Sequence, residues 1–233
     1  MNFRPMEQAK EFDTTRALSA YMSKVYAWMF AGLLITGLTA WFTANSSLMA
    51  IILQNSILMF GLIIAELVMV WVLAGKIETL TIGAAYSLFL GYSLLNGLTM
   101  SVIFLAYTAE TIQQVFIISA GMFAALSFYG KVTKKDMTGL GKFMMMGLVG
   151  LLLTMFLNFF FHSSALGFAI SFIGVIVFAG LTVYDTQKIR EMFFKMDSDE
   201  IVAKGAIVGA LALYLDFINL FLFLLRVLGG NRD

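Results

Sequence analysis

Cysteine is absent from the 233 residues, histidine and proline occur once each, and only 12% of the chain is charged. Without cysteine there is no disulfide, no thiol nucleophile and no thiolate metal site. A lone His162 cannot assemble a zinc site, which takes three or four ligands. The scarcity of charge says most. A soluble domain carries about 25% charged residues, whereas this chain is 61% hydrophobic with a mean hydropathy of +0.91. That composition belongs to an integral membrane protein, and its first partner is the lipid bilayer. The 15 basic and 14 acidic residues leave a net charge of +1 and form no basic stripe, so nucleic acid is excluded as a partner.

What is present is a series of apolar runs. A helix needs about 20 residues to cross the hydrocarbon core, and seven segments qualify: 25–44, 48–73, 80–105, 112–130, 143–161, 166–187 and 205–228. The expected fold is all-α, a single seven-helix transmembrane domain over 25–230 behind a cytoplasmic amino-terminal segment, 1–24. That segment mixes Arg4, Glu7, Lys10, Glu11, Asp13, Arg16 and Lys24. The apolar run after it is too long for a signal-peptide core, so it is expected to remain as the first span.

Seven crossings place the termini on opposite sides, and basic residues mark the cytoplasmic one. The amino-terminal face collects thirteen of the 15: Arg4, Lys10, Arg16, Lys24, Lys76, Lys131, Lys134, Lys135, Lys142, Lys188, Arg190, Lys195 and Lys204. The other face has Arg226 and Arg232. The amino terminus is therefore expected inside and the carboxyl terminus outside. Outer connections are short ("NSS" at 45–47, "AYTAET" at 106–111, "HSSA" at 162–165), leaving no room for an external ligand-binding domain. In the loop 188–204, Asp197 and Glu200 have the spacing of a capping box, so the last helix should start about two turns before the lipid. Gly205 and Gly209 on span 7, and Gly83, Ser87 and Gly91 on span 3, are spaced for close helix contact. No internal repeat is visible, and an inverted repeat of three plus three helices need leave no trace.

Four charges lie within the spans: Glu66, Asp185, Asp216 and Arg226. Asp216 is twelve residues past Lys204, or about 18 Å along a helix, near the midplane. A charge there costs at least about 2.5–3.5 kcal/mol on insertion scales, so it has partners or serves ions or protons. Asn219, Asn96 and Tyr214 are the candidate polar neighbours. Asp185 lies about one turn inside the inner boundary set by Lys188. Spans 6 and 7 are antiparallel neighbours, so Asp185 and Asp216 can face a common cleft open to the cytoplasm. Two carboxylates in low dielectric do not both ionise readily; they share a proton and sense pH. Depth alone separates them by more than about 10 Å, so direct contact requires tilt or a deeper sixth helix. Glu66 needs Arg226, Lys76, a proton or water as its partner. Arg226 either neutralises Glu66 or snorkels to the headgroups. It does not pair with Asp216, about 15 Å away on another face.

These charges narrow the activities. A retinal protein needs a lysine within the last span, and 205–228 has none. An intramembrane aspartyl protease would use "VYD" and Asp216, but "LYL" stands where a Gly-x-Gly is needed and Pro5 is the sole proline. His162 beside Ser163 and Ser164 lacks an acid. No enzyme is expected, and the aspartyl protease is a remote alternative. Hard cations such as calcium seek oxygen ligands, which Asp185 and Asp216 offer, and the sixteen methionines read as adaptable packing. A proton-coupled transporter of small solutes would use the same carboxylates.

The stretches "YSLLNGLTMSVIF", "YGKVTKKDMTGLGKFMMMGLVGL", "VFAGLTVYDTQKI" and "GALALYLDFINLFLFLLRVLGG" resemble, in order, the signature segments of the Bax inhibitor family in its bacterial branch. The resemblance implies a central seventh helix wrapped by six others, a bacterial inner-membrane location, and a pH-dependent calcium leak. Its sensor aspartates correspond to Asp185 in "YDTQ" and Asp216 in "LYLDFIN". It also implies a basic residue near the pair after the second helix, which falls on Lys76. No cofactor is implied; calcium and protons are the expected small partners. A regulatory role through binding membrane proteases is the alternative from another class. Cell-death suppression belongs to eukaryotic members and is not carried over.

Overall fold

The computed structural model describes the backbone of residues 4–229 and the side chains of residues 14–229. Arg4, Lys10 and Arg232 of the charge count, and residue 230 at the end of the expected domain, lie outside the described side chains. The helices are α1 (Arg4–Ala44), α2 (Leu48–Gln54), α3 (Ser56–Gly75), α4 (Ile82–Met100), α5 (Ile103–Ala106), α6 (Ala109–Val132), α7 (Thr138–Phe161), α8 (Ser164–Phe193) and α9 (Asp199–Leu228), with a 3-10 turn at Ile77–Thr79. The described residues form an all-α fold, and seven helical segments are long and apolar enough to cross a membrane.

Three departures from the sequence reading have a clear local reason. The second span was expected to run unbroken from 48. Instead Asn55 leaves helical geometry (φ −120°, ψ 88°) and its side chain accepts from Leu58 N at 3.0 Å, so α2 stops and α3 starts afresh. The third span is interrupted after Met100. Ser101 N is shared between Gly97 O and Leu98 O while its Oγ donates to Leu98 O at 2.6 Å, a tightening of the last turn. The cap of α9 is Ser198, not Asp197. Its hydroxyl accepts from Ile201 N at 3.3 Å, which places Asp199 and Glu200 in the first turn, where the helix dipole favours acids. Glu200 is then free to bridge Lys204 at 2.7 Å rather than close a capping box.

The core is organised around α9. Sixteen of its 30 residues are buried, against one in α3 and three in α7, so α9 is the interior helix and the other two face lipid. α8, α1, α6, α4 and α3 all pack on it. The six outer spans divide into two units of the same packing topology: α1 and α3 pack on α4, and α6 and α7 pack on α8. Because crossings alternate in direction, the second unit runs opposite to the first, an inverted arrangement the sequence leaves unmarked.

Glycines set the tightest crossings. A Cβ on Gly97 would stand 2.7 Å from Thr36 O of α1, and one on Gly130 would stand 2.5 Å from Val183 O of α8. On α9, Gly209 admits Ile189 of α8 and Val25 of α1, the close helix contact that its spacing suggests, whereas Gly205 lies under Met196 of the loop before α9. Gly83 meets nothing within 4 Å and Gly91 only Met69 at 3.8 Å. Close approach in α4 therefore rests on Gly97, not on the Gly83–Ser87–Gly91 row.

Candidate acid-pair site

Asp216 is carried into the middle of the bundle by the most buried helix and is only 3% exposed. Its Oδ2 is buried without a hydrogen-bond partner. Asp185, half-buried on α8, lines the same cavity of about 410 Å³ among α7, α8 and α9. α8 runs on to Phe193, eight residues or about 12 Å beyond Asp185. The helix does not end at Lys188, where the apolar run does. Asn219 also lines the cavity, but its Nδ2 donates to Leu215 O of its own helix at 2.8 Å.

The "YDTQ" stretch sends four side chains to four places. Tyr184 lays its ring over Gly141 of α7, where any Cβ would overlap it. Asp185 enters the cavity. Thr186 Oγ1 lies 3.0 Å from Ser127 Oγ of α6, which in turn lies 2.6 Å from the Tyr26 hydroxyl of α1. Gln187 clamps the α6–α7 loop, accepting from Met137 N and donating to Lys135 O, both at 2.8 Å. The residue bearing the acid is thus held from both sides along the chain. Gln187→Leu should leave the buried Met137 N–H unpaired at a cost of about 1–3 kcal/mol. Faster amide exchange confined to residues 133–137 is the expected result; unchanged exchange there would count against the clamp.

The other polar residues form a separate network. Tyr214 is fully buried, its hydroxyl 2.6 Å from Thr36 Oγ1 and donating to Asn96 Oδ1 at 3.0 Å. Asn96 Nδ2 donates to Glu66 Oε2 at 3.3 Å, and Thr99 Oγ1 donates to Glu66 Oε1 at 2.8 Å. Neither Asn96 nor Tyr214 reaches Asp216. Glu66 is answered by two neutral donors from α4 rather than by a cation. Arg226 packs its guanidinium over the Phe223 ring at 5.9 Å, and Lys76 holds its ammonium over Trp71 at 4.7 Å, exposed at the end of α3. Lys76 does not line the acid pair's cavity. Thr36, Thr99, Ser127 and Gln187 were not singled out in the sequence; a hydroxyl or amide on an apolar span is a weak signal until its neighbour is known.

Chemically, the pair offers carboxyl oxygens in apolar surroundings, able to hold a proton or face a cation. Among the described residues, no group of three or more acidic or histidine side chains is arranged as a metal cage.

The family model described as inhibitor of apoptosis-promoting Bax1 matches residues 18–233. The inner membrane protein YbhL of Escherichia coli (strain K12) is 48% identical over 218 residues, covering 92% of this chain and 93% of the relative. An uncharacterized protein of Deinococcus radiodurans is 42% identical over 228 residues, covering 98% and 96%. One of Borreliella burgdorferi is 42% identical over 215 residues, covering 91% and 93%. Seven helical segments of crossing length and relatives of this kind make the chain a multi-pass protein of the bacterial inner membrane. It belongs to the Bax inhibitor family, in its bacterial branch.

Proposed function

We propose that the chain is a calcium-permeable leak of the inner membrane whose conductance is set by protonation of Asp185 and Asp216. The observation that carries this reading is the orphaned, buried Oδ2 of Asp216 in a cavity shared with a second carboxyl. A carboxylate near the midplane with no fixed partner is expensive, and such groups commonly mark ion or proton pathways. Protonation decides whether the cavity holds one negative charge or two. The second charge is relieved by a cation, for which oxygen ligands suit calcium, or by a shift of the helices that bear the pair. Beside Asp216 on the chain, Phe217 and, further along α9, Phe221 pack edge-on against Phe116 of α6, outside the cavity that holds the two carboxyls.

The orientation that fits this reading has the amino terminus in the cytoplasm and residues 25–230 as one transmembrane domain. The bias of basic residues supports it. Two coupled carboxyls titrate as a unit, so Asp185→Asn and Asp216→Asn should alter the pH response of calcium uptake alike. The double variant should add nothing further. Effects of the two substitutions that simply add would reject a shared sensor.

A further inference from the structure

The acid pair's cavity is not closed by protein on its lipid side. α3 packs on α4 and α7 on α8, and no substantial packing joins α3 to α7 around that face of α9. Met145 and Leu152 of α7, which line the cavity, are 49% and 57% exposed. In a membrane-spanning chain at this depth, that exposure is to acyl chains. The lining runs from Met145 to Met155 on α7 and from Ala212 to Phe223 on α9, about 15 Å along each helix. The cavity is therefore a slot parallel to the helices, open sideways to the bilayer. Its volume of about 410 Å³ falls within the range of about 300–1,000 Å³ that small-molecule sites occupy.

The walls are apolar apart from Asp185, Asp216 and Asn219, and Asn219 commits one of its two amide N–H groups to Leu215 O. No basic side chain lines the slot. The charged groups facing Asp216 and Asp185 are each other and Lys188, which follows Asp185 on α8 and holds its ammonium over Tyr184. A hydrophobic slot with a buried, unpartnered carboxyl oxygen has a definite complement: an alkyl chain bearing a cationic donor. A charge-assisted N–H···O contact is about twice as strong as a neutral one. A fatty acid would meet like charge, and an alcohol would lack the charge that the pair selects.

We propose that this slot is a binding site for lipophilic amines, which enter from the bilayer between α3 and α7. The ammonium sits against Asp216 and Asp185, and the chain lies along α7 and α9 toward Phe223. The proposal rests on the cavity invoked for the leak but not on ion passage through it. A bound amine would occupy the carboxyls that calcium uses and so act as a blocker.

The test is binding of radiolabelled dodecylamine to the full chain in nanodiscs of zwitterionic lipid, with protein-free discs as background. Saturable binding is expected, displaced by unlabelled dodecylamine but not by dodecanol or dodecanoate. Asp216→Asn should weaken it at least tenfold. Ala212→Leu, which fills the slot and keeps both acids, should do the same. Uptake equal to that of protein-free discs, undiminished binding in Asp216→Asn, or equal displacement by dodecanoate would each overturn the proposal. The displacement arm uses the unmodified protein and so does not depend on a variant folding. Amine binding without calcium flux would reject the leak alone; pH-dependent flux without amine binding would reject this site alone.

Discussion

Leucine in place of Gly130 is expected to leave little folded protein in the membrane. At this crossing α6 lies against the backbone of α8, and a Cβ would stand 2.5 Å from Val183 O and 3.0 Å from Thr186 Cβ. A flexible side chain could swing aside, but a carbonyl in the middle of a helix cannot. The helices must separate, which breaks the Ser127–Thr186 contact and shifts the segment that carries Asp185. Overpacking in a close-packed interior costs typically about 1–3 kcal/mol, and more where backbone is the obstacle. Gly97→Leu meets Thr36 O at 2.7 Å at the crossing of the first unit and should behave alike. Gly121→Leu, with nothing within 4 Å, is the control. Yield of monodisperse protein and thermal unfolding in one detergent read the outcome. A Gly130→Leu protein that melts with the unmodified one would contradict the α6–α8 contact.

Asp216→Leu is expected to unfold at higher temperature than the unmodified protein while losing its response to pH. The carboxyl is buried with one oxygen unpaired, and leaving a buried polar group unsatisfied costs about 1–3 kcal/mol. Leucine removes that cost and fills part of an apolar slot, so stabilisation on the order of 1–3 kcal/mol should follow. Groups kept for function at the expense of stability behave this way. Asn96→Leu makes the contrast. It strips Glu66 of one donor and Tyr214 of its acceptor, and should destabilise by about 1–3 kcal/mol. If Asp216→Leu were the more damaging of the two, Asp216 would be a structural polar contact and the network around Tyr214 would be the better functional candidate.

The spans were legible because about 20 apolar residues in a row have few other uses. Breaks within them were legible only in part. Asn55 and Ser101 end helices through hydrogen bonds to their own neighbours, yet each sits in an apolar run that hydropathy reads as continuous. Ser198 and Asp197 are comparable caps by residue type, and local sequence does not choose between them. The four intramembrane charges announced themselves by cost alone. Their partners did not: Glu66 finds Asn96 and Thr99 across a helix–helix contact that no spacing along the chain encodes. Nor does local sequence tell Lys76 to lie on Trp71 instead of at the acid pair. The central place of α9 came from family resemblance, and the burial of sixteen of its residues agrees with it. The paired three-helix units emerge only from packing.

The central claim is that the carboxyls in the α7–α8–α9 cavity set calcium permeability. Its most direct test is calcium uptake into liposomes that hold an internal indicator dye and the purified protein, at acid, neutral and alkaline pH, for the unmodified chain and Asp216→Asn. Uptake above that of protein-free liposomes that varies with pH in the unmodified chain and loses that variation in Asp216→Asn is the expected result. An unaltered pH profile in the variant, or no uptake above background at any pH, would contradict the account.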